Sequence, residues 1–240
     1  MGDNEALQRW DAAAKTYREV QEQSAFAAQN RALVEQRFKE KVTGWQVLDA
    51  GCGYGRYTRW FQEQGAQAWG CDGSTAMLEL ARKDAPDCRF DQADLQAALP
   101  YEDRIFDLVF CNQVLMDLAE IEGTMHEFSR VIKPAGLLWL SIVHPAFFIG
   151  DWQRDENGIA TSKLVQGYLR PRAQLNEFWG SSLHYHRPVS FYLNLAAESG
   201  FSLVRLTEPE AYDPAVNTSQ LPLFLCAEFR RMPCSAQNKQ

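Results

Sequence analysis

The sequence predicts an α/β fold, in which strands and helices alternate along the chain, on three observations. Short apolar runs recur at 47–50, 66–71, 88–90, 105–112 and 137–143, each the length of one buried strand. Stretches with helical spacing or helix-capping residues lie between them, at 56–64, 74–81 and 120–133. Gly51, Gly53 and Gly55 stand at alternate positions directly after the first run, where they let the backbone turn sharply and approach a ligand. A helix N-terminus just beyond such a turn offers unpaired N–H groups to a carboxylate or phosphate.

Composition narrows the class. At 240 residues the chain suits one large domain with a sizeable interior. It is 46% hydrophobic and 23% charged, ordinary for a soluble globular enzyme, and its net charge of −7 contains no long run of like charges. Nothing in that balance predicts a broad phosphate-tracking surface, so nucleic acid is disfavoured as a partner. The six cysteines (Cys52, Cys71, Cys88, Cys111, Cys226 and Cys234) are scattered, without a C-x-x-C pair or a histidine at zinc-ligand spacing. No metal site is expected. Several of the cysteines sit in strand-like runs as small hydrophobes, which fits a reducing cytoplasm. Met1 to Gln8 lacks the apolar core of a signal peptide, and no apolar run approaches the roughly 20 residues of a membrane span.

Along residues 5–41, Leu7, Trp10, Ala14, Tyr17 and Val20, then Phe26, Leu33, Val34 and Phe38, recur at helical steps and predict two amphipathic helices. The run Val47 to Ala50 carries Asp49 near its end, and Arg56 to Gln64 continues as helix after the glycines. Ala66 to Cys71 is the second strand, ending at Asp72-Gly73-Ser74. Asp72 lies 23 positions after Asp49. A carboxylate at that tip can accept both hydroxyls of a ribose, and D-G is equally ordinary turn chemistry. Ser74 and Thr75 can cap the next helix, with Met77, Leu78, Leu80 and Ala81 along its inner side. Cys88 to Phe90 is a third strand. Ile105 to Asn112 is the strongest buried-strand pattern. Ligands of open α/β sheets bind beyond the carboxyl ends of strands, which makes Asn112, Gln113 and Val114 site candidates and Asp107, at the other end, structural. Glu120 to Lys133 predicts a helix stopped by Pro134 and Gly136, and Leu137 to Val143 a fifth strand. Later, Pro188 to Ser199 reads as a helix, Phe201 to Leu206 and Leu221 to Arg230 as strands, and Pro233 to Gln240 as a frayed end.

Several of these segments together resemble one family. D-x-G-x-G-x-G at Asp49 to Gly55, F-D-L-V-F-C at Phe106 to Cys111, R-V-I-K-P-A-G-L-L-W-L at Arg130 to Leu140 and Y-H-R-P-V-S-F-Y-L-N-L-A-A-E-S-G-F at Tyr185 to Phe201 resemble class I S-adenosylmethionine-dependent methyltransferases of small-molecule, bacterial type. The third glycine is placed differently from that of the G-x-G-x-x-G dinucleotide loop. The N-P-P-Y of enzymes that methylate base or amide nitrogens is replaced by Asn112-Gln113-Val114-Leu115. The resemblance covers about residues 44–143 and 188–230. It implies a Rossmann-like, seven-stranded, mostly parallel sheet with helices on both faces and a C-terminal antiparallel hairpin strand. It implies a single domain with a helical lid over 1–43 and a substrate-cap insertion over 144–187, after strand five.

The same resemblance implies S-adenosyl-L-methionine as cofactor, with S-adenosyl-L-homocysteine as product. Asp49, Gly51, Cys52 and Gly53 would hold it at the loop, Asp72, Gly73, Ser74 and Met77 beyond the second strand, and Asn112 and Gln113 beyond the fourth. Asp94 and Leu95 correspond to the adenine-binding segment, with Asp91 the competing carboxylate. W-D-x-x-A-x-x-Y at Trp10 to Tyr17 resembles the family's lid segment and makes Tyr17 the lid candidate, plain core packing being its other role.

Residues 144–187 carry His144, Phe147, Phe148, Trp152, Tyr168, Phe178, Trp179, His184, Tyr185 and His186 with little periodicity. A segment this long without clear elements reads as a functional insertion over the site, and an aromatic-lined cavity suits a small organic acceptor. A sulfonium methyl is already electrophilic, so the protein must hold an acceptor oxygen, nitrogen or carbon in line, and a hydroxyl also needs a base. His144, at the end of the fifth strand, and His186, before the closing helix, are the candidates; hydrogen bonding within the cap is the competing role of each. Asp117 and Glu120 do not by themselves assemble a metal-binding carboxylate cluster. The expected activity is methyl transfer to a small molecule by a cytoplasmic monomer or homodimer. A cofactor binder without turnover, an RNA or tRNA methyltransferase and a nicotinamide-dependent oxidoreductase are the alternatives.

Overall fold

The computed structural model describes residues 2–148, 150–177, 179–209, 213 and 215–233. The chain opens with helices α1 (Gly2–Gln23) and α2 (Ala25–Phe38). Ser24 separates them: its backbone is extended and its side chain accepts the Ala27 N–H, capping α2. The core then alternates β1 (Gln46–Ala50), α3 (Arg56–Glu63), β2 (Gln67–Asp72), α4 (Thr75–Asp84), β3 (Arg89–Gln92), β4 (Phe106–Asn112), α5 (Glu122–Val131) and β5 (Ile132–Val143). A cap follows, with the helical turn α6 (Pro145–Phe148) and strands β6 (Asp151–Arg154), β7 (Ala160–Leu164), β8 (Arg172–Asn176) and β9 (Ser182–His186). The chain returns to the core as α7 (Val189–Glu198), β10 (Phe201–Thr207) and β11 (Phe224–Arg231).

Among the described residues seven strands form one sheet, in the order β10-β11-β5-β4-β1-β2-β3. Strands β1 to β5 pair parallel, and β11 enters antiparallel between β5 and β10. The expected parallel sheet with an antiparallel closing hairpin is therefore present. Strand order reverses between β1 and β4, and ligands of open α/β sheets bind at such a switch point.

Alternation along each strand supplies two cores. Leu48, Ala50, Val109 and Leu138 face one side, under Phe128 of α5 and Leu195 of α7. Val47, Leu108 and Phe110 face the other, under Phe38 of α2 and Phe61 of α3. Burial on both faces is why β4 reads as a continuous apolar run. Each of the larger side chains contributes about 1.5–3 kcal/mol. Helix α2 belongs to this layer: Arg37 donates to both carboxylate oxygens of Glu228 on β11, at 2.5 and 2.9 Å.

The structure departs from expectation in two places. The cap is not free of regular elements: β6 pairs with β7 and β8 with β9, both antiparallel. Strands β6 and β7 are exposed on most positions, and the buried face of β9 consists of Ser182, His184 and His186. A period of two carried by polar residues, or by none, leaves no hydrophobic signal. The helix before β5 ends at Val131 rather than Lys133. Lys133 to Gly136 bulges out of β5, between the partners of Phe106 and Leu108, with Ala135 at φ 63°. Asp107 anchors that bulge, accepting Lys133 Nζ and the Gln46 N–H, each at 2.8 Å.

The five described cysteines are free thiols. Phe178, Cys234 and the end expected to fray beyond Pro233 lie outside the described residues. No helix among the described residues is long and apolar enough to cross a membrane.

Candidate active site

Strand β1 delivers Asp49 to the switch point with 2% exposure, its Oδ2 accepting the Thr58 hydroxyl at 2.7 Å. Burial pushes this carboxyl up to about 7, against the opposing pull of the Thr58 hydrogen bonds. The chain then turns through Gly51 at φ 75° and Gly53 at φ 53°. A Cβ on Gly51 would lie 2.5 Å from Val114, whereas one on Gly53 would meet nothing nearer than the Met77 sulfur at 4.0 Å. Gly51 thus permits the turn, and Gly53 faces open space. Asp72, at the tip of β2, accepts the Gly53 N–H on Oδ2 and the Ser74 N–H on Oδ1, both at 2.8 Å. Burial raises its carboxyl above the ordinary range, and these N–H groups oppose the rise.

Two cavities open here. The smaller, about 110 Å³, is lined by Asp72, Gly73, Met77, Asp94 and Leu95 and roofed by Leu7 and Trp10 of α1. The larger, about 410 Å³, runs from Asp49, Cys52 and Tyr57 to Phe148, Trp179, Ser182 and His184 of the cap. Tyr17, Gly51, Gly53, Asn112, Gln113 and Asp117 line both, so the cavities meet over the glycine loop. Asn112 Nδ2 donates to Asn30 Oδ1 at 2.9 Å and Gln113 Nε2 to Ser141 Oγ at 2.7 Å. The amide oxygens of Asn112 and Gln113 are left buried without a partner. Buried acceptors are ordinarily satisfied, so this set fits a ligand that brings donors. An adenosine with an amino-acid tail brings ribose hydroxyls, an exocyclic amine and an ammonium.

Helix α1 closes over the junction from both sides. Asp11 Oδ1 accepts the Ser74 hydroxyl at 2.6 Å and the Ala76 N–H at 3.1 Å, fastening α1 to the start of α4. On the cap side Arg9 donates to Ser181 Oγ at 2.5 Å, and Trp10 stacks on Trp179 with ring centroids 6.1 Å apart. Burial holds the Tyr17 phenol far above its ordinary range, so it stays neutral.

Most residues singled out in the sequence come together here, Asp49 and Cys52 at the larger cavity and the others at the smaller or at both. Ser74 does not line either. It is fully buried, accepts the Met77 N–H at 3.2 Å as the α4 cap, and donates to Asp11. Asp91 turns away to Arg89 and Tyr101, leaving Asp94 as the carboxylate at the cavity. His144 and His186 also line neither cavity. His144 Nε2 lies 2.7 Å from Glu208 Oε1, and His186 Nε2 lies 2.7 Å from the Tyr168 carbonyl oxygen. The histidine that does face the larger cavity is His184, two residues earlier on the same face of β9. The i, i+2 spacing of Ser182, His184 and His186 was the available signal. Asp117, on the 3₁₀ turn Leu115–Asp117, was likewise not placed at the site by the sequence. Burial pushes its carboxyl well above the ordinary range.

A glycine loop at the switch point, an acid at the tip of β2 and an antiparallel β11 define a nucleoside-cofactor methyltransferase architecture rather than a dinucleotide-binding one. Residues 48–140 match the family model described as a methyltransferase domain. This segment belongs to the class I S-adenosylmethionine-dependent methyltransferases. The chain is similar to an S-adenosylmethionine-dependent methyltransferase structure from Mesorhizobium loti, at 27% identity and a TM-score of 0.71, over 88% of this chain and 100% of that one. It is 34% identical over 40% of its length to malonyl-[acyl-carrier protein] O-methyltransferase of Salmonella typhimurium, and 33% over 47% to demethylmenaquinone methyltransferase of Tropheryma whipplei. The matches span 39% and 48% of those two curated relatives' own lengths.

Proposed function

We propose that this chain transfers the methyl group of S-adenosylmethionine to a small-molecule acceptor held in the larger cavity. The observation that carries the reading is the junction: one cavity suited to an adenosine and one roofed by aromatics share Gly51, Gly53, Asn112 and Gln113. Asp72 would accept the ribose hydroxyls, and Asp94 with Leu95 would hold the adenine. The Asn112 and Gln113 oxygens and Asp49 would face the amino-acid tail. The cofactor supplies an electrophilic methyl when bound; the protein's part is to hold the acceptor in line and exclude water. In this reading the sheet and its helices form a single domain with α1 as lid and 144–187 as substrate cap. The relative named as an O-methyltransferase makes oxygen one acceptor atom to test. Incubation with methyl-labelled S-adenosylmethionine, a panel of small phenols, alcohols and amines, and total RNA tests it. Label in a small molecule is the expected result, and label in RNA alone, or in nothing, overturns it.

Two smaller effects follow from the geometry. Gly53→Ala places a methyl in the open space above the loop and costs about 1–2 kcal/mol for a left-handed residue. Binding of S-adenosylhomocysteine is expected to weaken roughly tenfold in calorimetry with the fold retained. Asp11→Ala removes the fastening of α1, a partly exposed contact of about 1 kcal/mol. Release of S-adenosylhomocysteine in stopped-flow fluorescence is expected to quicken roughly fivefold.

A further inference from the structure

Within the larger cavity one polar side chain is built in and not used by the protein. His184 is 3% exposed, and its ring lies 4.7 Å from that of Phe148 on α6. Among the described residues its ring nitrogens make no hydrogen bond. A buried imidazole ordinarily has a partner, as His144 has Glu208 and His186 has the Tyr168 carbonyl. The surface His184 shares with Tyr17, Met116, Phe148 and Trp179 is mostly apolar.

Resting on the methyl-transfer reading above, we propose that His184 is the catalytic residue that receives the proton of the acceptor, and that the acceptor is a hydroxyl on a small apolar frame. The free ring nitrogen accepts a hydrogen bond from the hydroxyl, aiming an oxygen lone pair toward the junction of the cavities. That lone pair forms the C–O bond to the methyl of S-adenosylmethionine. The C–S bond breaks with its pair to sulfur, giving S-adenosylhomocysteine. The O–H proton passes to His184 and then to water.

The surroundings favour a hydroxyl over an ammonium. Burial, with the positive charges of Arg187 and Arg172 beside it, lowers the imidazole to about 4, so it is neutral at pH 7, as is His186, which burial also pushes down. The same cations repel a positively charged acceptor and stabilise oxygen as it loses its proton. A weakly basic imidazole suffices, because the hydroxyl becomes strongly acidic as its oxygen bonds to carbon.

The test uses protein saturated with S-adenosylhomocysteine and two probes, 4-chlorophenol and 4-chloroanisole, which differ in the hydroxyl hydrogen. By calorimetry the wild type is expected to bind the phenol about tenfold more tightly than the ether. His184→Phe should erase that preference, and His184→Gln, whose amide oxygen can accept, should restore most of it. Affinity for S-adenosylhomocysteine should stay unchanged in both variants, which shows that the fold and cofactor site are intact. A preference that survives in His184→Phe, or none in the wild type, overturns the assignment. Failure of S-adenosylhomocysteine to bind the wild type instead removes the methyl-transfer reading, and this inference with it.

Discussion

Asp72→Ala is expected to weaken binding of S-adenosylhomocysteine by about 1.5–3 kcal/mol or more, roughly ten- to more than a hundredfold in Kd. Four interactions end together. Each carboxylate oxygen already accepts one loop N–H, from Gly53 or Ser74, and keeps a further lone pair for a ribose hydroxyl. Removing the side chain takes away the ligand's partner and the brace that shapes the glycine loop beneath it. Asp91→Ala is the control, because Asp91 is turned toward Arg89 and Tyr101. It should leave affinity unchanged. Calorimetry on both variants, with thermal unfolding to confirm that each folds, decides the matter. Unchanged affinity in Asp72→Ala would contradict the ribose assignment.

The second large effect concerns stability. Asp49 is buried with one hydroxyl partner, and its carboxyl rises from an ordinary 3.8 to about 7 on folding. The folded state therefore holds the proton more tightly than the unfolded chain. Stability is greatest below the unfolded value and is lost as pH rises from about 4 to about 7. Above that window an ionised Asp49 costs on the order of 4 kcal/mol. Asn is neutral throughout and can still accept from Thr58. Asp49→Asn is thus expected to stabilise the protein by several kcal/mol at pH 8, with the gain falling below about 2 kcal/mol at pH 5. Urea unfolding of both proteins at the two pH values measures it. A pH-independent difference would show that Asp49 does not titrate in this window. In the proposed function the same cost is retained for the positively charged tail of the cofactor, so Asp49→Asn should also bind S-adenosylhomocysteine more weakly.

Much of this was legible from residues because the relevant signals are local. Apolar runs such as Phe106 to Cys111 mark strands buried on both faces, and a glycine loop after β1 marks the turn at the switch point. Asp72 and Asp94 follow their strands by short, fixed spacings. The cap was not legible. Its best-placed strand buries Ser182, His184 and His186, and a polar inward face looks like a loop to any reading based on hydrophobic period. For that reason the sequence points to His144 and His186, which adjoin a recognisable strand and helix, and gives His184 no distinguishing mark. Ser74 shows a different limit. Its spacing suits both a cap and a ligand contact, and only the third dimension shows its hydroxyl occupied by Asp11 and the Met77 N–H.

The most direct test of the central claim is titration calorimetry of the protein with S-adenosylhomocysteine, using NAD as control. Micromolar or tighter binding of S-adenosylhomocysteine, with none of NAD, is the predicted result. Binding of NAD instead, or of neither, would contradict the assignment of the glycine loop and the smaller cavity to a methyl donor.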